Sequence, residues 1–430
     1  MRTSFVLCFF ALIAIIGGKG IAQQALTGNV IFIHPDGSGA SMWGALRLLE
    51  QGPDGMLHWD RMERLGLYRG HQRNSAGSTS HAGATTHAFG VKVDYDTFGH
   101  VPEKPVTTPT GRTVSIMTEA IERGIVTGLI NSGHLAEPGT AVFVAGAFDR
   151  ASTDTITAKL LAGGVDVIMG GGENLLLPAG QRGRHGGEGV RKDGRNLIEE
   201  ARAAGYTVIF TRDELLALPD GVEKLLGVFA AKHTFNDMSE EELKAKGLPL
   251  YQPDAPTVAE MTAATLNIFQ KMGKQFILVV EEEGSDNFAN DNNAIGALTA
   301  LSRANEAIGV ALEYIARHPE TLLLTAADSD AGGMEVYSVR AAEEFDAPLP
   351  TVTDNGSPLD GMGGTATLPF TAAPDAFGTR LRFGIAWACE EDVMGAIVAR
   401  AHGLNAEHLP ASVDNTEIYR LMYRTLFGKE

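Results

Sequence analysis

The sequence predicts an α/β fold, a three-layer sandwich in which a mostly parallel central sheet carries helices on both faces. Short apolar strand signals alternate with amphipathic helix signals over most of the 430 residues. The first strand signal, NVIFIHPDG (29–37), is a continuous apolar run ending at a glycine turn, as in parallel strands buried on both faces. The helix signal at 113–123 places Val114, Met117 and Ile121 on one stripe, which indicates one buried face.

The remaining elements follow in the same alternating order. We expect strands at 125–130, 206–210 (YTVIF), 275–280 (QFILVV) and 321–325 (TLLLT), and helices at 194–204, 257–271 and 294–317. A final helix is expected in DNTEIYRLMYRTLFG, where Asp414 or Asn415 can cap its start. Residues 332–380, rich in Pro, Gly, Thr and Asp, predict a long irregular excursion. Because no internal repeat or linker is evident, residues 23–430 are expected to form a single domain.

The N-terminal stretch MRTSFVLCFFALIAIIGGKGIAQQ has the features of a secretory signal. Arg2 precedes an apolar run from Phe5 to Ile16, and small residues follow up to Ala22. The run is short for a membrane span, so we expect residues 1–22 to be removed and the protein to be periplasmic or secreted. An uncleaved N-terminal anchor is the alternative. Beyond this stretch, the sequence predicts no membrane-crossing segment.

Charge and cysteine content narrow the function classes. The formal net charge is −18, and loss of Arg2 and Lys19 with the signal would make it −20. An acidic surface argues against nucleic acid or anionic lipid as partners. The signal would also remove Cys8 and leave Cys389 alone, so an internal disulfide is excluded and stability must come from the hydrophobic core.

Acidic residues gather directly after the predicted strands. Asp36 follows the first strand, Glu281 to Asp286 follow the QFILVV strand, and Asp328 and Asp330 follow the TLLLT strand. Ligands of open parallel sheets bind beyond the carboxyl ends of the strands, so these side chains are expected to meet at one edge. Gathered carboxylates repel one another unless divalent cations, whose preferred ligands they are, hold them together. The alternative is that the glutamates form an ordinary charge run facing water.

The segment NSAGSTSHAGATTHAFGVK (74–92) is a second candidate for chemistry. Ser and Thr crowd before a helix of small residues that Gly90 ends. A hydroxyl at a helix N-terminus lies among free backbone N–H groups that favour an anion such as phosphate, and a neighbouring metal would turn it into a nucleophile. An ordinary Ser or Thr cap is the alternative. The GxSxG elbow and the GxxxxGK[ST] phosphate loop are absent from the sequence, so those two enzyme classes lack support.

These stretches resemble the alkaline phosphatase family. NVIFIHPDGSG is similar to its first strand with the metal-binding Asp-Gly, and TSHAGATTHAFGVK is similar to its nucleophile helix. The resemblance continues in order through VDVIMGGG (165–172), NLIEEARAAGYTVI (196–209), KLLGVFA (224–230), PTVAEMTAATLNIF (256–269) and the closing helix. It implies an alkaline phosphatase-like fold and hydrolysis of small phosphate monoesters through a covalent phosphoserine, with magnesium and zinc as cofactors. Dimers are common in that family, so a homodimer is compatible with the resemblance.

The resemblance also implies roles for individual residues. Ser80 matches the nucleophile, and Arg150, thirteen residues after Glu137, matches the phosphate-clamping arginine, whose guanidinium suits two phosphate oxygens. The implied metal ligands are Asp36 between two metals, Glu137 and Glu281 for magnesium, Asp286 for one zinc and Asp328 for the other.

The chain departs from the family pattern at several metal positions. Asn290 and Ser329 stand where the family has histidines, and no histidine occurs between Glu320 and Ala401, where a third is expected. Further departures are Thr79, where an aspartate precedes the nucleophile, and Gly139, where the magnesium loop has a hydroxyl that the adjacent Thr140 could replace. The resulting predicted metal ligands are Asp36, Glu137, Thr140, Glu281, Asp286, Asn290, Asp328 and Ser329.

A ligand set of oxygens favours magnesium, manganese or calcium over zinc. The candidates for replacement oxygens are Asp330, Glu282, Glu283, and Asp360 or Asp375. A nitrogen ligand could instead come from His34, His81, His87 or His134, each of which has an ordinary structural role as its alternative.

Three functions stay open at this point. The first is a phosphate monoester hydrolase, and the second is a phosphodiesterase or sulfatase-like esterase with the same fold. The third is a secreted protein that binds metal or phosphate without catalysis. The joint presence of Asp36, Ser80, Arg150, Glu281 and Asp328 favours catalysis.

Overall fold

The computed structural model describes residues 26–101 and 104–428, so the predicted signal at 1–22 lies outside the described residues. Within them, a ten-stranded sheet has the spatial order Ser412–Asp414, Arg64–Arg69, Val398–Gly403, Thr321–Thr325, Asn29–Pro35, Phe276–Glu282, Val126–His134, Val167–Gly171, Leu225–Val228 and Thr207–Ile209. The seven consecutive strands from Thr321–Thr325 onward are parallel, whereas Val398–Gly403 is antiparallel to both of its neighbours.

Helices cover both faces of this sheet. In the first strand, Val30 and Phe32 pack into one hydrophobic core, while Ile31 and Ile33 pack into the other. The first core takes residues from helices Ser80–Phe89, Ile116–Glu122, Pro138–Ala141, Thr153–Ala162, Leu197–Ala203 and Thr416–Phe427. The second takes residues from helices Ala40–Gln51, Arg212–Leu216, Glu240–Lys246, Val258–Met272, Gly284–Asn290 and Ala294–Ile315. The predicted three-layer α/β sandwich is therefore confirmed. None of the helices in the described part of the chain is long and apolar enough to cross a bilayer.

The predicted elements match the observed ones most closely where an apolar run has clear ends. The strand Thr321–Thr325 has the predicted bounds, but Phe276–Glu282 and Val126–His134 continue past theirs into polar sequence. In the final helix, Asp414 Oδ1 accepts hydrogen bonds from the N–H (3.2 Å) and the hydroxyl (2.9 Å) of Thr416. The Asn415 side chain instead donates to the carbonyl of Gly70, 3.2 Å away.

The segment 332–380 is more ordered than the sequence indicates. Most of a small antiparallel sheet comes from it, made of Glu335–Val339, Arg382–Ala386, Leu359–Gly361, Gly364–Thr365 and Phe370–Thr371. The described residues also form two short strand pairs, Asp330–Ala331 with Asp392–Val393 and His100–Val101 with Lys104–Pro105. The first of these pairs brings a distant part of the chain to the edge of the main sheet.

Candidate metal centre and nucleophile

The acidic residues lie at the carboxyl ends of neighbouring parallel strands. Asp36 directly follows the first strand, and the pairing of that strand with Phe276–Glu282 places His34 opposite Glu281. Asp328 follows the strand on the other side of the first one. The carboxyl groups therefore meet at one edge of the sheet, where ligands of open parallel sheets bind.

These side chains form a buried group that we call the carboxylate cluster. It consists of His34, Asp36, Glu281, Glu283, Asp286 and Asp328. Ligand atoms of His34, Asp36 and Glu281 lie within 4.8 Å of one another, and so do those of Asp36, Glu283 and Asp286. His34 Nε2 is 3.2 Å from Asp36 Oδ1 and 3.9 Å from Asp328 Oδ1. Because Asp36 belongs to both groups of three, its carboxylate is placed to bridge two cations.

The cluster carries more negative charge than nearby hydrogen-bond donors neutralise. Burial, together with the charge of Asp36, raises the pKa of Glu281 to about 8. Burial also holds the pKa values of Glu283, Asp286 and Asp328 well above their usual range. Among the described residues, no hydrogen-bond partner exists for His34 Nε2, Asp36 Oδ2, Glu281 Oε1, Glu283 Oε2, Asp286 Oδ1 or either carboxylate oxygen of Asp328. Buried carboxylate oxygens without hydrogen-bond partners are suitable ligands for hard divalent cations, which would coordinate them directly.

His34 brings a nitrogen donor into the carboxylate cluster. Its Nδ1 lies 2.7 Å from the carbonyl oxygen of Ala326, so Nδ1–H donates to that oxygen and Nε2 faces the carboxylates. Burial alone would lower the pKa of His34, but Asp36, Asp328 and Glu281 together outweigh burial and raise it to about 10. Conversely, burial would raise the pKa of Asp36, and His34 brings it below its usual range. A ring fixed by a backbone carbonyl is the usual arrangement of a metal-binding histidine, so His34 fits the ligand role better than sequence alone could show.

Asp392 joins the site without having been among the sequence-based candidates. Asn290 Nδ2 donates to Asp286 Oδ2 (3.1 Å) and to Asp392 Oδ1 (3.0 Å), and its Oδ1 accepts from the N–H of Gly332 (3.2 Å). The hydroxyl of Ser329 also lies beside Asp392 and favours its charged form. Burial nevertheless raises the pKa of Asp392, so this carboxylate lacks a full counter-charge. Asn290 thus orients two carboxylates as a hydrogen-bond donor.

One signal in the sequence could have identified Asp392. It precedes the core strand Val398–Gly403, which is where the family resemblance leads one to expect a third histidine. However, the stretch CEEDV offers three acids. Only the pairing of Asp392 with Ala331 shows which of them reaches the site.

The helix Ser80–Phe89 packs closely against Asp328 of the carboxylate cluster. Thr79 is its N-cap, accepting from the Ala82 N–H, so Ser80 is the first helical residue and is not the capping side chain. Gly83 lies one turn after Ser80 on the same face, and a Cβ there would overlap the carboxylate of Asp328. The buried Ser80 therefore lies on the helix face that contacts the cluster.

His87 lies on the same helix face one turn after Gly83. Its ring centroid is 5.6 Å from that of His34, and its Nε2 is 2.7 Å from Tyr68 Oη. Burial holds the pKa of His87 well below its usual range, so the ring is neutral at pH 7. These contacts give His87 a structural role behind the cluster.

Arg150 lies close to the start of the same helix. Burial and the charge of Arg150 lower the pKa of His81, the residue after Ser80, to about 4. The Arg150 guanidinium donates from Nη2 to Glu137 Oε2 at 3.2 Å, and its side chain is 47% exposed. It is therefore anchored on one side and open to a ligand on the other.

Glu137 contacts two histidines as well as Arg150. Its Oε1 lies 2.9 Å from His134 Nε2 and 3.9 Å from His233 Nδ1. Burial would raise the pKa of Glu137, but His134, His233 and Arg150 together lower it to about 2. The structure thus places Glu137 beside two imidazoles, one of which, His233, was not a sequence-based candidate.

Gly139 occupies the position where the magnesium loop of the family carries a hydroxyl, and Thr140 was expected to replace that hydroxyl as a ligand. A Cβ at Gly139 would overlap the carboxylate of Glu281, which explains why only glycine fits there. The adjacent Thr140 accepts a hydrogen bond from Asn131 Nδ2 at 2.9 Å, and the same amide donates to Glu281. Thr140 therefore reaches Glu281 through Asn131.

Several candidates for replacement oxygens have other partners. Glu282 accepts from Ser132 Oγ (2.7 Å) and Tyr251 Oη (3.1 Å), because successive strand residues point to opposite faces. Asp360 accepts from Trp387 Nε1 at 2.6 Å within the small sheet. Asp375 accepts from backbone N–H groups in an exposed turn. Protein donors therefore contact all three carboxylates and none of the three belongs to the carboxylate cluster, although Glu282 Oε2 has no partner among the described residues.

Asp330 is buried but lies at the edge of the candidate site. A Cβ at Gly39 or at Gly395 would overlap its carboxylate, so it is enclosed by two glycines near the start of the helix Ala40–Gln51. Burial, with the charge of Glu335, raises its pKa to about 7. By contrast, Glu283 does belong to the carboxylate cluster.

Comparison with known proteins identifies relatives over most of the chain. The alkaline phosphatase family model matches residues 27–357. A membrane-bound alkaline phosphatase of Bombyx mori is 27% identical over 76% of this chain and 64% of its own length. The streptomycin-6-phosphate phosphatase of Streptomyces griseus is 26% identical over 70% of this chain and 73% of its own. For alkaline phosphatase 4 of Bacillus subtilis, which is 25% identical, the match spans 52% of this chain and only 44% of the relative.

Solved structures show the same fold. The alkaline phosphatase of Thermus thermophilus superimposes with a TM-score of 0.72 at 21% identity, covering 98% of this chain and 96% of that one. The alkaline phosphatase of the Antarctic bacterium TAB5 superimposes with a TM-score of 0.70 at 18% identity, and the match covers 94% of this chain and 100% of that one. A histidine-to-glutamate variant of the TAB5 enzyme holds Mg in its M3 site. From the family match over residues 27–357, together with these relatives, this chain belongs to the alkaline phosphatase family.

Proposed function

We propose that this protein is a metal-dependent phosphate monoester hydrolase that acts through a covalent phosphoserine at Ser80. The observation that carries the proposal is the buried, unneutralised carboxylate cluster in contact with the helix face on which Ser80 lies. Hydrolysis of a phosphate monoester requires a nucleophile, a cationic clamp and neutralisation of the phosphoryl charge, and this arrangement can supply all three.

The residues that would hold the cations are those with unsatisfied ligand atoms. His34, Asp36 and Glu281 form one set, and Asp36 with Glu283 and Asp286 forms a second. Divalent cations bound there would draw charge from the phosphoryl oxygens and lower the pKa of a nearby serine hydroxyl. Because the donors are mostly oxygens, we propose magnesium, manganese or calcium as preferred ions, with zinc less favoured than in the family at large.

The side chains of this protein then have defined tasks. Arg150 binds two phosphate oxygens, while Glu137 holds its guanidinium from behind. Ser80 Oγ attacks phosphorus in line: the Oγ–P bond forms, the ester P–O bond breaks, and the leaving alcohol takes up a proton. Water then forms a new O–P bond, the Oγ–P bond breaks, and inorganic phosphate and free Ser80 result.

Replacing Ser80 tests this proposal. Ser80→Ala is expected to lower turnover of a chromogenic phosphate monoester by at least roughly 1,000-fold, because the covalent route is lost. Its content of divalent metal should equal that of the wild type, since the hydroxyl is not one of the proposed ligands. Ser78→Ala, two residues earlier, is the matched control and should keep most of the activity. Wild-type turnover by Ser80→Ala would refute the assignment of the nucleophile, and metal binding without any turnover by the wild type would refute catalysis itself.

A comparison of ester types tests the substrate class. The streptomycin-6-phosphate phosphatase is named for a monoester substrate, which supports monoester preference in this chain as well. We expect faster hydrolysis of the monoester than of the diester or sulfate with the same leaving group. Faster cleavage of the diester or the sulfate would instead assign the protein to the other esterase class.

Export belongs to the proposal as well. The apolar N-terminal stretch supports a periplasmic or secreted protein, and the family supports a homodimer. Cell fractionation together with N-terminal sequencing of the recovered protein tests the first point, and sedimentation tests the second. Recovery in the cytoplasm with residues 1–22 intact would contradict the proposed export.

A further inference from the structure

We propose a second metal site, separate from the carboxylate cluster, formed by His134, Glu137 and His233. It would take a nitrogen-favouring transition metal ion such as Zn²⁺ or Co²⁺. The proposal concerns metal binding alone and does not depend on the proposed catalytic activity.

Three different elements bring the ligands together. His134 is the last residue of the strand Val126–His134, Glu137 is the N-cap of the short helix that follows, and His233 comes after the strand Leu225–Val228. Their ligand atoms all lie within 4.8 Å of one another. Tetrahedral zinc with bonds of about 2.0–2.1 Å needs ligand atoms about 3.4 Å apart. The observed separations from Glu137 Oε1, 2.9 Å to His134 and 3.9 Å to His233, bracket that spacing.

The surroundings fix the orientation of each ligand. The rings of His134 and His233 stack with centroids 5.0 Å apart, and Phe235 also stacks with His233, with centroids 5.0 Å apart. Arg150 donates to Glu137 Oε2, which leaves Oε1 directed at the imidazoles. The hydrogen bond from Arg150 orients the carboxylate, as outer hydrogen bonds do for metal ligands, and the stacking restricts rotation of the imidazole rings.

The donor chemistry separates this site from the carboxylate cluster. Two imidazoles and one carboxylate are a ligand set of catalytic zinc sites, in which the fourth position stays open. Beside His233 lies a cavity of about 690 Å³, also lined by Arg184, His185 and Lys232. This cavity gives a metal ion access, and its basic residues would let an anion or water take the fourth position. An ion pair between His134 and Glu137, with no metal, is the competing explanation.

A cobalt titration of the full-length protein distinguishes the two explanations. The protein is first freed of metal with a chelator, and Co²⁺ uptake is then followed by visible absorption and by elemental analysis. We expect a cobalt spectrum typical of nitrogen ligands in the wild type and in Asp36→Asn, which removes a ligand only from the carboxylate cluster. His134→Gln and His233→Gln should bind this cobalt at least about tenfold more weakly.

His185→Gln is the matched control, because His185 lines the same cavity but contacts the carbonyl of Val228 instead of Glu137. It should bind cobalt as the wild type does, and circular dichroism should show all variants folded. If His134→Gln and His233→Gln match the wild type in spectrum and stoichiometry, or if the wild type shows no such spectrum, only an ion pair is present and the proposal fails. Since the readout is metal uptake, inactivity of the protein towards phosphate esters would not produce that result.

Discussion

Glu281 and Glu282 are consecutive in one strand and both are completely buried, but their surroundings differ. Glu282 faces Ser132, Tyr251 and the N–H of Gly284, which all donate to its Oε1. Glu281 faces other carboxylates, and its Oε1 has no partner among the described residues. Burial raises the pKa of both. The fold therefore gives Glu282 three donors at one oxygen, although its Oε2 has no partner among the described residues. Glu281 has the amide of Asn131 as a donor and lies among other carboxylates.

Other buried acids follow the pattern of Glu282. Glu119 pairs with Arg123 and accepts from Tyr423 Oη at 3.1 Å. Glu173 accepts from the N–H groups of Arg184 and His185 at 2.7 and 2.8 Å. Donors are thus available in this fold where an acid has a structural role. Their scarcity around the carboxylate cluster points to bound cations as its counter-charge.

The strongest test of this contrast is the replacement of Asp328, neither of whose carboxylate oxygens accepts a hydrogen bond among the described residues. Asp328→Asn is expected to lower phosphatase activity roughly 1,000-fold, because removing charge stabilisation of this kind costs several kcal/mol. In the presence of chelator the variant should melt no earlier than the wild type, since one repelling charge is gone. Thermal melting with and without added metal, combined with turnover, measures both effects.

Glu282→Gln is the control on the opposite face of the sheet. Its melting temperature should respond to added metal as that of the wild type does. If chelator affects Asp328→Asn and the wild type equally, the carboxylate cluster does not bind the stabilising cations, and the contrast between the two faces has another cause.

The second test restores a nitrogen ligand where this chain has an acid. Asp392→His places an imidazole beside Asp286 and should shift relative affinity towards zinc over magnesium by about 10- to 100-fold. Elemental analysis after equilibration with both ions at equal free concentration measures the ratio. Asp375→His, in an exposed turn, is the control and should leave the ratio unchanged. An unaltered ratio in Asp392→His would mean that residue 392 does not contact the metal.

Much of the carboxylate cluster was accessible from sequence because parallel strands end together. That rule, applied to Asp36, Glu281, Asp286 and Asp328, identified residues that the structure brings to one edge. Asp392 could not be found this way. It arrives through a two-residue strand pairing whose partner, Asp330–Ala331, is far away in sequence, and such pairings leave no periodic signal.

Candidate ligands that lie outside the carboxylate cluster could not be recognised from sequence, because the sequence does not show where strands end or which distant segments pair. A strand that is expected to end at residue 280 leaves Glu282 among the acids beyond its end, whereas the strand continues through Glu282 and alternates its faces to the end. Asp360 was considered because its segment appeared irregular, but there it is bonded within the small sheet. The contact between His134 and His233 joins two strand ends that no local pattern connects.

The smallest expected effect concerns Glu240, a buried acid outside both patterns. Its Oε1 accepts from the N–H of Ile295 at 3.3 Å, and its Oε2 has no partner within the described ranges. Burial, with the charges of Asp360 and Glu241, raises its pKa to about 8. With neither a full set of donors nor a cation, Glu240 keeps its proton at neutral pH.

Stability should therefore depend on pH through this residue, with a defined sign. The unfolded chain releases the Glu240 proton near its ordinary pKa of 4.5, whereas the folded protein holds it up to about pH 8. The free energy of unfolding therefore falls as pH rises between these two values. Glu240→Gln keeps the acceptor for Ile295 and removes the titration. It should match the wild type in free energy of unfolding near pH 4.5 and exceed it by roughly 1–2 kcal/mol at pH 7. Urea unfolding at several pH values measures the difference, with Glu343→Gln, an exposed acid that does not act on Glu240, as the control. A constant difference across this range would show that Glu240 is already ionised in the folded protein and that a partner meets its charge.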